Sequence, residues 1–227
     1  SGAVFAAALL ALLSGCKPHD PIPRTQPRES LQAREFSEVA SETGIIHRHE
    51  KPILDHQLDN IMSWVCSVGA AGAAGDFNND GWIDLYVTNS DQGKSNFLYR
   101  NNGNGTFTDV ATKAGLANLN GDDGVSMDCL WGDYDNDGWI DLYLVRWGRN
   151  SLFHNNGDGT IAEVTAKCFR HKDGSPGTDW ANGNAAVFLD YNLDGRLDLY
   201  VGNYFDEIDL WHLTTTRIMH DSFERAR

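Results

Sequence analysis

The chain has 227 residues, 41% of them hydrophobic and 11% aromatic, which supports a packed globular core and argues against wholesale disorder. Its formal net charge is −14. That sign argues against nucleic acid as the main partner, because phosphate binding needs clustered Lys and Arg.

The first element along the chain is AVFAAALLALL at 3–13, an apolar run of eleven. A bilayer span needs about 20 residues, so the run fits the core of a signal peptide instead. Leu13-Ser14-Gly15-Cys16 follows at once and resembles the lipobox of bacterial lipoproteins. Residues 1–15 then read as a truncated signal, with neither initiator Met nor basic region before it, and Cys16 as a lipid-bearing anchor. The alternative is an ordinary secretory signal with an incidental cysteine. Residues 16–35 join the anchor to a linker in which Pro18, Pro21, Pro23 and Pro27 are four of the six prolines in the chain. Such a stretch stays extended and holds a domain off a surface. The chain thus predicts an exported protein, either tethered to a bacterial envelope or secreted. Cys66, Cys129 and Cys168 remain, an odd number whose pairing the sequence leaves open. Cys129 reads as a small core residue.

Next, FSEVASETGI at 36–45 resembles FTDVATKAGL at 107–116, so the domain is expected to open with an outer strand. His47, His49 and His56 follow within HRHEKPILDH. A His-x-His pair alone is weak evidence for a metal, and exposed loop residues are the simpler reading.

The main body, 36–227, is organised by repetition. DFNNDGWIDLY at 76–86 returns as DYDNDGWIDLY at 133–143 and as DYNLDGRLDLY at 190–200, a spacing of 57 residues. A small or apolar lead-in precedes each copy. Each runs on into DLYVTN, DLYLVR or DLYVGN, in which Leu85 and Val87 alternate with Tyr86 and Thr88 in the period-2 pattern of a strand. After the first two copies come NFLYRNNGNGTFTDV (96–110) and NSLFHNNGDGTIAEV (150–164), each a strand, an Asn/Gly turn and a strand. Four short strands per unit at this period predict an all-β chain of β-propeller blades. Residues 36–227 hold about 3.4 such repeats, whereas closed propellers carry roughly four to eight blades, so the chain is expected to be a partial propeller and a fragment of a longer protein. The stretch 206–227 breaks the pattern and reads as partly helical.

The three strings also carry chemistry. Written D-x-[DN]-x-D-G-x-[IL]-D, they cover 76–84, 133–141 and 190–198 and hold ten of the 32 acidic residues. A tight loop brings alternating positions to one centre. The oxygen ligands expected are Asp76, Asn78, Asp80 and Asp84; Asp133, Asp135, Asp137 and Asp141; and Asp190, Asn192, Asp194 and Asp198. Trp82, Trp139 and Arg196 at the seventh position would each add a backbone carbonyl. Six to seven hard oxygens suit Ca²⁺, while Mg²⁺ keeps its waters and zinc would want His or Cys, which none of the loops holds. An EF-hand is excluded because its twelfth position must be Glu, and here it is Val87, Leu144 or Val201. One structural Ca²⁺ per loop is expected, tightest at 133–141, where all four side chains are Asp. Trp82 and Trp139 are expected to pack between neighbouring blades.

The Asp loop, the hairpin and the strand to Ala-Gly-Leu, recurring in one order, resemble the FG-GAP/VCBS repeats of integrin-like propellers, and most of all the ASPIC/UnbV group, the relatives of cartilage acidic protein. The resemblance covers roughly 36–205. It implies a calcium-stabilised exported propeller, usually without known catalysis. The third copy departs, with Arg196 at position 7 and no hairpin, and Cys168-Phe169 replaces Ala-Gly-Leu in the second. No GxSxG or comparable nucleophile motif is present. The expected function is a binding or adhesion module for a protein or glycan. The alternatives are the propeller of a polysaccharide lyase or hydrolase, and a scaffold for a further C-terminal domain.

Overall fold

The computed structural model describes residues 36–62, 69–171, 173–205 and 208–213. The chain divides into two units, Ser1–Glu38 and Val39–Arg227. Of the first, residues 36–38 are described, and they are exposed and without regular secondary structure. The signal, the Cys16 anchor and the linker read from the sequence lie outside the described residues, as do Cys66 and most of 206–227.

The second unit is all-β with antiparallel sheets. Its first sheet holds β1 (Gly72–Gly75), β2 (Asp84–Val87), β3 (Phe97–Asn101) and β4 (Phe107–Asp109), in the order β1-β2-β3-β4. This is one complete four-stranded blade. β5 (Gly124–Gly132), β6 (Asp141–Arg149), β7 (Ser151–Asn155) and β8 (Ile161–Glu163) form the second, and β9 (Trp180–Leu189) and β10 (Asp198–Phe205) belong to the third. The register repeats: Gly75 stands opposite Asp84, Gly132 opposite Asp141 and Leu189 opposite Asp198. Each Asp loop therefore joins the first two strands of its blade, with the last Asp opening the second strand. The second and third blades also share a seam, because Trp147, Gly148 and Arg149 of β6 pair with Asn182, Ala181 and Trp180 of β9.

Three one-turn helices punctuate the sheets: α1 (Ala40–Thr43), α2 (Ala111–Ala114) and α3 (Thr165–Cys168). Gly44 and Gly115 close the first two with φ of 88° and 86°, the left-handed region that glycine adopts without strain. A Cβ on Gly44 would come 2.9 Å from the carbonyl oxygen of Phe107, and one on Gly115 3.2 Å from that of Ile161. Each turn thus lies on the outer strand of the blade that follows it. This corrects one expectation: residues 36–39 form no strand, and the likeness of FSEVASETGI to FTDVATKAGL resides in the turn that follows.

Packing repeats with the sequence. Tyr86, Leu98, Leu116, Leu142, Leu144 and Phe153 form a core between the first two blades. Tyr143, Val145 and Leu152 do the same between the second and third, with Phe188 and Leu199 against them. At the first junction the Trp131 ring lies 6.2 Å from Tyr86, and at the second Phe188 lies 6.4 Å from Tyr143. Burying such side chains contributes about 1.5–3 kcal/mol each. Tyr200, at the matching place in the third sheet, is 67% exposed, because no sheet stands against it among the described residues.

The segments outside the repeats close a third core. Leu54 and Leu58 meet Val125, Met127, Trp147 and Leu210. Asp55 fastens the two segments together: its N–H donates to the Leu210 carbonyl at 3.0 Å, and its carboxylate accepts from the N–H of Leu213 at 3.0 Å. Residues 208–213 carry no helix. Among the described residues no helix is long and apolar enough to cross a membrane.

Candidate metal centres

The three Asp loops share one internal geometry. In the first, Asp76 accepts the N–H of Asp80 at 3.0 Å and of Gly81 at 2.8 Å, and Asp80 accepts from Trp82 at 2.9 Å. Asp133 accepts from Asp137 and Gly138 at 3.1 and 3.0 Å, and Asp137 from Trp139 at 2.8 Å. Asp190 accepts from Asp194 and Gly195 at 3.0 and 2.8 Å, and Asp194 from Arg196 at 2.9 Å. Asn78 and Asn192 each donate to the Asp two places on, at 2.8 and 3.1 Å. Backbone N–H groups thus hold the first, third and fifth side chains close to one another.

The ninth position is different in kind. Asp84 and Asp141 are fully buried. Asp84 accepts from the N–H of Phe77 at 3.2 Å and of Asn101 at 2.7 Å, and Asp141 from Tyr134 at 3.2 Å and Asn155 at 2.9 Å. Burial pushes the Asp84 carboxyl up to about 6, against the pull of its two backbone donors, and raises Asp141 for the same reason. A carboxylate out of water needs a cation or a proton. Each oxygen also keeps lone-pair capacity after accepting one N–H. Asp198 accepts from Tyr191 at 3.2 Å but is only partly buried, because no hairpin covers its loop among the described residues.

The second loop draws its acids closest. One ligand atom each from Asp133, Asp135 and Asp141 lies within 4.8 Å of the others, and so does one each from Asp135, Asp137 and His154. The His154 Nδ1 stands 3.2 Å from Asp141 and 3.3 Å from Asp135, and its Nε2 stands 3.9 Å from Asp137. The loops themselves lack His, but β7 brings one in. His154 is the residue before the Asn-Asn-Gly turn, where the first blade has Arg100.

Two more sets of residues escaped the sequence reading. Asn101 and Asn155 not only donate their N–H to the buried Asp but also bond through their amides to Ile83 and Ile140 at 3.1 Å each, and Asn155 reaches the Phe77 carbonyl of the preceding blade at 2.7 Å. At the fourth loop position, Asn79 donates to the Gly138 carbonyl of the next loop at 3.0 Å, and Asn136 to that of Gly195 at 3.1 Å. These residues adopt φ of 53° and 61°, and Leu193 in the third loop takes φ 59° with no amide to give. The signal was present as Asn-Asn after each β-strand and Asn at position 4, but the partners are in other loops.

The tryptophans also differ from expectation. A Cβ on Gly103 would come 2.9 Å from the Trp82 ring, and one on Gly157 2.8 Å from the Trp139 ring. Each ring caps the hairpin turn of its own blade, and Trp131 fills the space between blades instead. His47 and His49 are half-buried, with the His47 ring 4.9 Å from Phe97, and they join no metal-holding group among the described residues. Cys129 is buried and Cys168 exposed, and neither is in a disulfide.

The donors fit a hard divalent cation: clustered carboxylates, two of them desolvated, in loops pinned by their own backbone. Comparison with known proteins agrees with the repeat structure. The FG-GAP-like repeat family matches over 76–144 and 133–201, together more than half of the chain. Cartilage acidic protein 1 of Homo sapiens is 34% identical over 98 residues, 42% of this chain and 13% of that protein. The Mus musculus protein is 29% identical over 134 residues, 58% of this chain and 18% of its own. The Xenopus tropicalis protein is 29% identical over 101 residues, 43% of this chain and 14% of its own. The chain thus spans less than a fifth of the length of these relatives. Repeated Asp loops, stacked four-stranded sheets and these matches place the chain in the FG-GAP-like repeat family, as an FG-GAP/ASPIC-type repeat protein.

Proposed function

We propose that this protein is an exported, calcium-stabilised propeller module that binds a protein or glycan and carries out no catalysis of its own. The observation behind this reading is the desolvated carboxylate at the head of β2 and again at the head of β6, each facing further acids. A Ca²⁺ in the first loop would be held by Asp76, Asn78, Asp80, Asp84 and the Trp82 carbonyl. The second would use Asp133, Asp135, Asp137, Asp141 and the Trp139 carbonyl, and the third Asp190, Asn192, Asp194, Asp198 and the Arg196 carbonyl. The ion supplies positive charge and fixes loop shape, and blade edges so fixed can present a constant surface to a partner. A lipid on Cys16 would tether the module to a membrane across the linker 16–35.

A hydrolase or lyase is the rival, and the mixed Asp135–Asp137–His154 group is the feature that favours it. Glycan-array and pull-down screens on the full-length protein, with and without calcium, discriminate. Calcium-dependent capture of a protein or glycan supports the binding module. Turnover of a polysaccharide contradicts it.

A further inference from the structure

The two blade junctions are built from the same register but filled differently. At the first, Ser126 stands opposite Arg146 in the β5–β6 pairing, and its hydroxyl joins Asn96 and Asn120 in a buried polar network at 2.9 and 2.8 Å. At the second, Gly183 stands opposite Asn203 in the matching pairing of β9 with β10. The position 57 residues after Asn120 is Gly177. Side chains that plug the first junction are therefore missing from the second, and a cavity of about 390 Å³ lies there. That size is in the range of small-molecule sites.

Arg146 lines this cavity and is 7% exposed. It takes the place that Asn89 holds in the first blade. Its Nη2 donates to the carbonyls of Leu119 and Gly124, and its Nη1 to the Ser151 hydroxyl at 3.3 Å. Its buried Nε has no acceptor. Three of the five guanidinium hydrogens are thus used and two are not. No carboxylate of a described residue forms an ion pair with it. A buried cation left this way lacks a counter-charge. Arg149, exposed, lines the same cavity and adds a second guanidinium. Asp123 and Glu163 also line it, and both are exposed at its rim. Their carboxylates can only accept hydrogen bonds.

The buried wall therefore asks for an anionic acceptor, and the rim asks for donors. A polyhydroxy carboxylate offers both, since carboxylate matches guanidinium geometry and hydroxyl groups can donate to Asp123 and Glu163. We propose that the cavity between the second and third blades binds an acidic sugar, carboxylate on Arg146 and hydroxyls on the rim. The proposal rests on the reading of the protein as a ligand-binding module and narrows its ligand. It does not use the Asp loops, none of whose residues lines the cavity.

Calorimetric titration of the full chain in calcium tests it, with glucuronate, glucose and glycine as probes. Glucuronate should bind, and glucose should bind roughly tenfold or more weakly for want of the charge-assisted bonds. Because Arg146 also supports the backbone, the blocking variant is Ala166→Trp, at an exposed position on the cavity wall. It should abolish the glucuronate signal while melting in calcium stays unchanged. Equal binding of glucose, a response to glycine alone, no response to glucuronate, or undiminished binding in the Ala166→Trp protein would each overturn the assignment. The calcium reading stands or falls separately, on whether a chelator shifts melting.

Discussion

At the scale of single residues, the buried carboxylates set the chemistry. Asp84 has an ordinary value of 3.8 and is pushed up to about 6 by burial in the metal-free fold. Between those values the native state binds more protons than the unfolded chain, so stability falls as pH rises through the window. In excess chelator the protein should melt lower at about pH 7 than at about pH 5, and calcium should remove that loss. A chelated protein whose melting rises from pH 5 to 7 would contradict the burial argument. His154 makes a second test. Its ring sits among Asp135, Asp137 and Asp141, so it competes with an incoming cation for the same oxygens. A partly exposed pair of this kind is worth up to about 1 kcal/mol, and His154→Ala should tighten calcium at the second loop by up to about fivefold. Weaker calcium binding in that variant would make His154 a ligand.

At the scale of elements, each blade is shaped by the next. A Cβ on Gly132 would come 2.5 Å from the Phe188 ring. Gly132→Ala should cost about 1–3 kcal/mol, because the ring has a packed sheet behind it. The midpoint of urea unfolding measures this, and an unmoved midpoint would mean that the second and third blades do not pack this way. Leu193 is 87% exposed and in the left-handed region. Leu193→Asn should stabilise by roughly 1 kcal/mol, since it relieves strain without losing contacts; a lower melting temperature would contradict that. The repeats were legible at this scale because strand alternation and the Asn/Gly turns are local. The strand pairing within each described blade, the Asp loops joining first and second strands and the buried Cys129 all follow from such signals. The seam of β6 with β9, the fastening of 45–62 to 208–213 and the Asn79 and Asn136 links were not legible. Their partners lie a blade or more away, and no periodicity within one segment encodes them. The tryptophans misled for a related reason. Trp82 and Trp139 recur in register, which suggests a shared interface, but a glycine in the neighbouring turn decides where the ring lies.

At the scale of the whole molecule, the fold is a stack of sheets whose cores are shared between neighbours, with acidic loops recurring at one place in every blade. Asn79 and Asn136 tie successive loops directly, and the sheets behind those loops are in van der Waals contact. Ordering one loop therefore bears on the next, and loss of the ions is expected to loosen the stack as a unit. The net charge of −14 adds to this, since closely set acids repel one another until a cation joins them. The third sheet presents Tyr200, Tyr204 and Val187 to solvent, so it receives less support than the other two. It should be the first to open in hydrogen exchange. The most direct test of the central claim is equilibrium dialysis against calcium paired with thermal melting before and after a chelator. The account predicts one retained ion per Asp loop and a melting temperature that drops on chelation. No ion retained, together with melting that the chelator leaves unmoved, would contradict it.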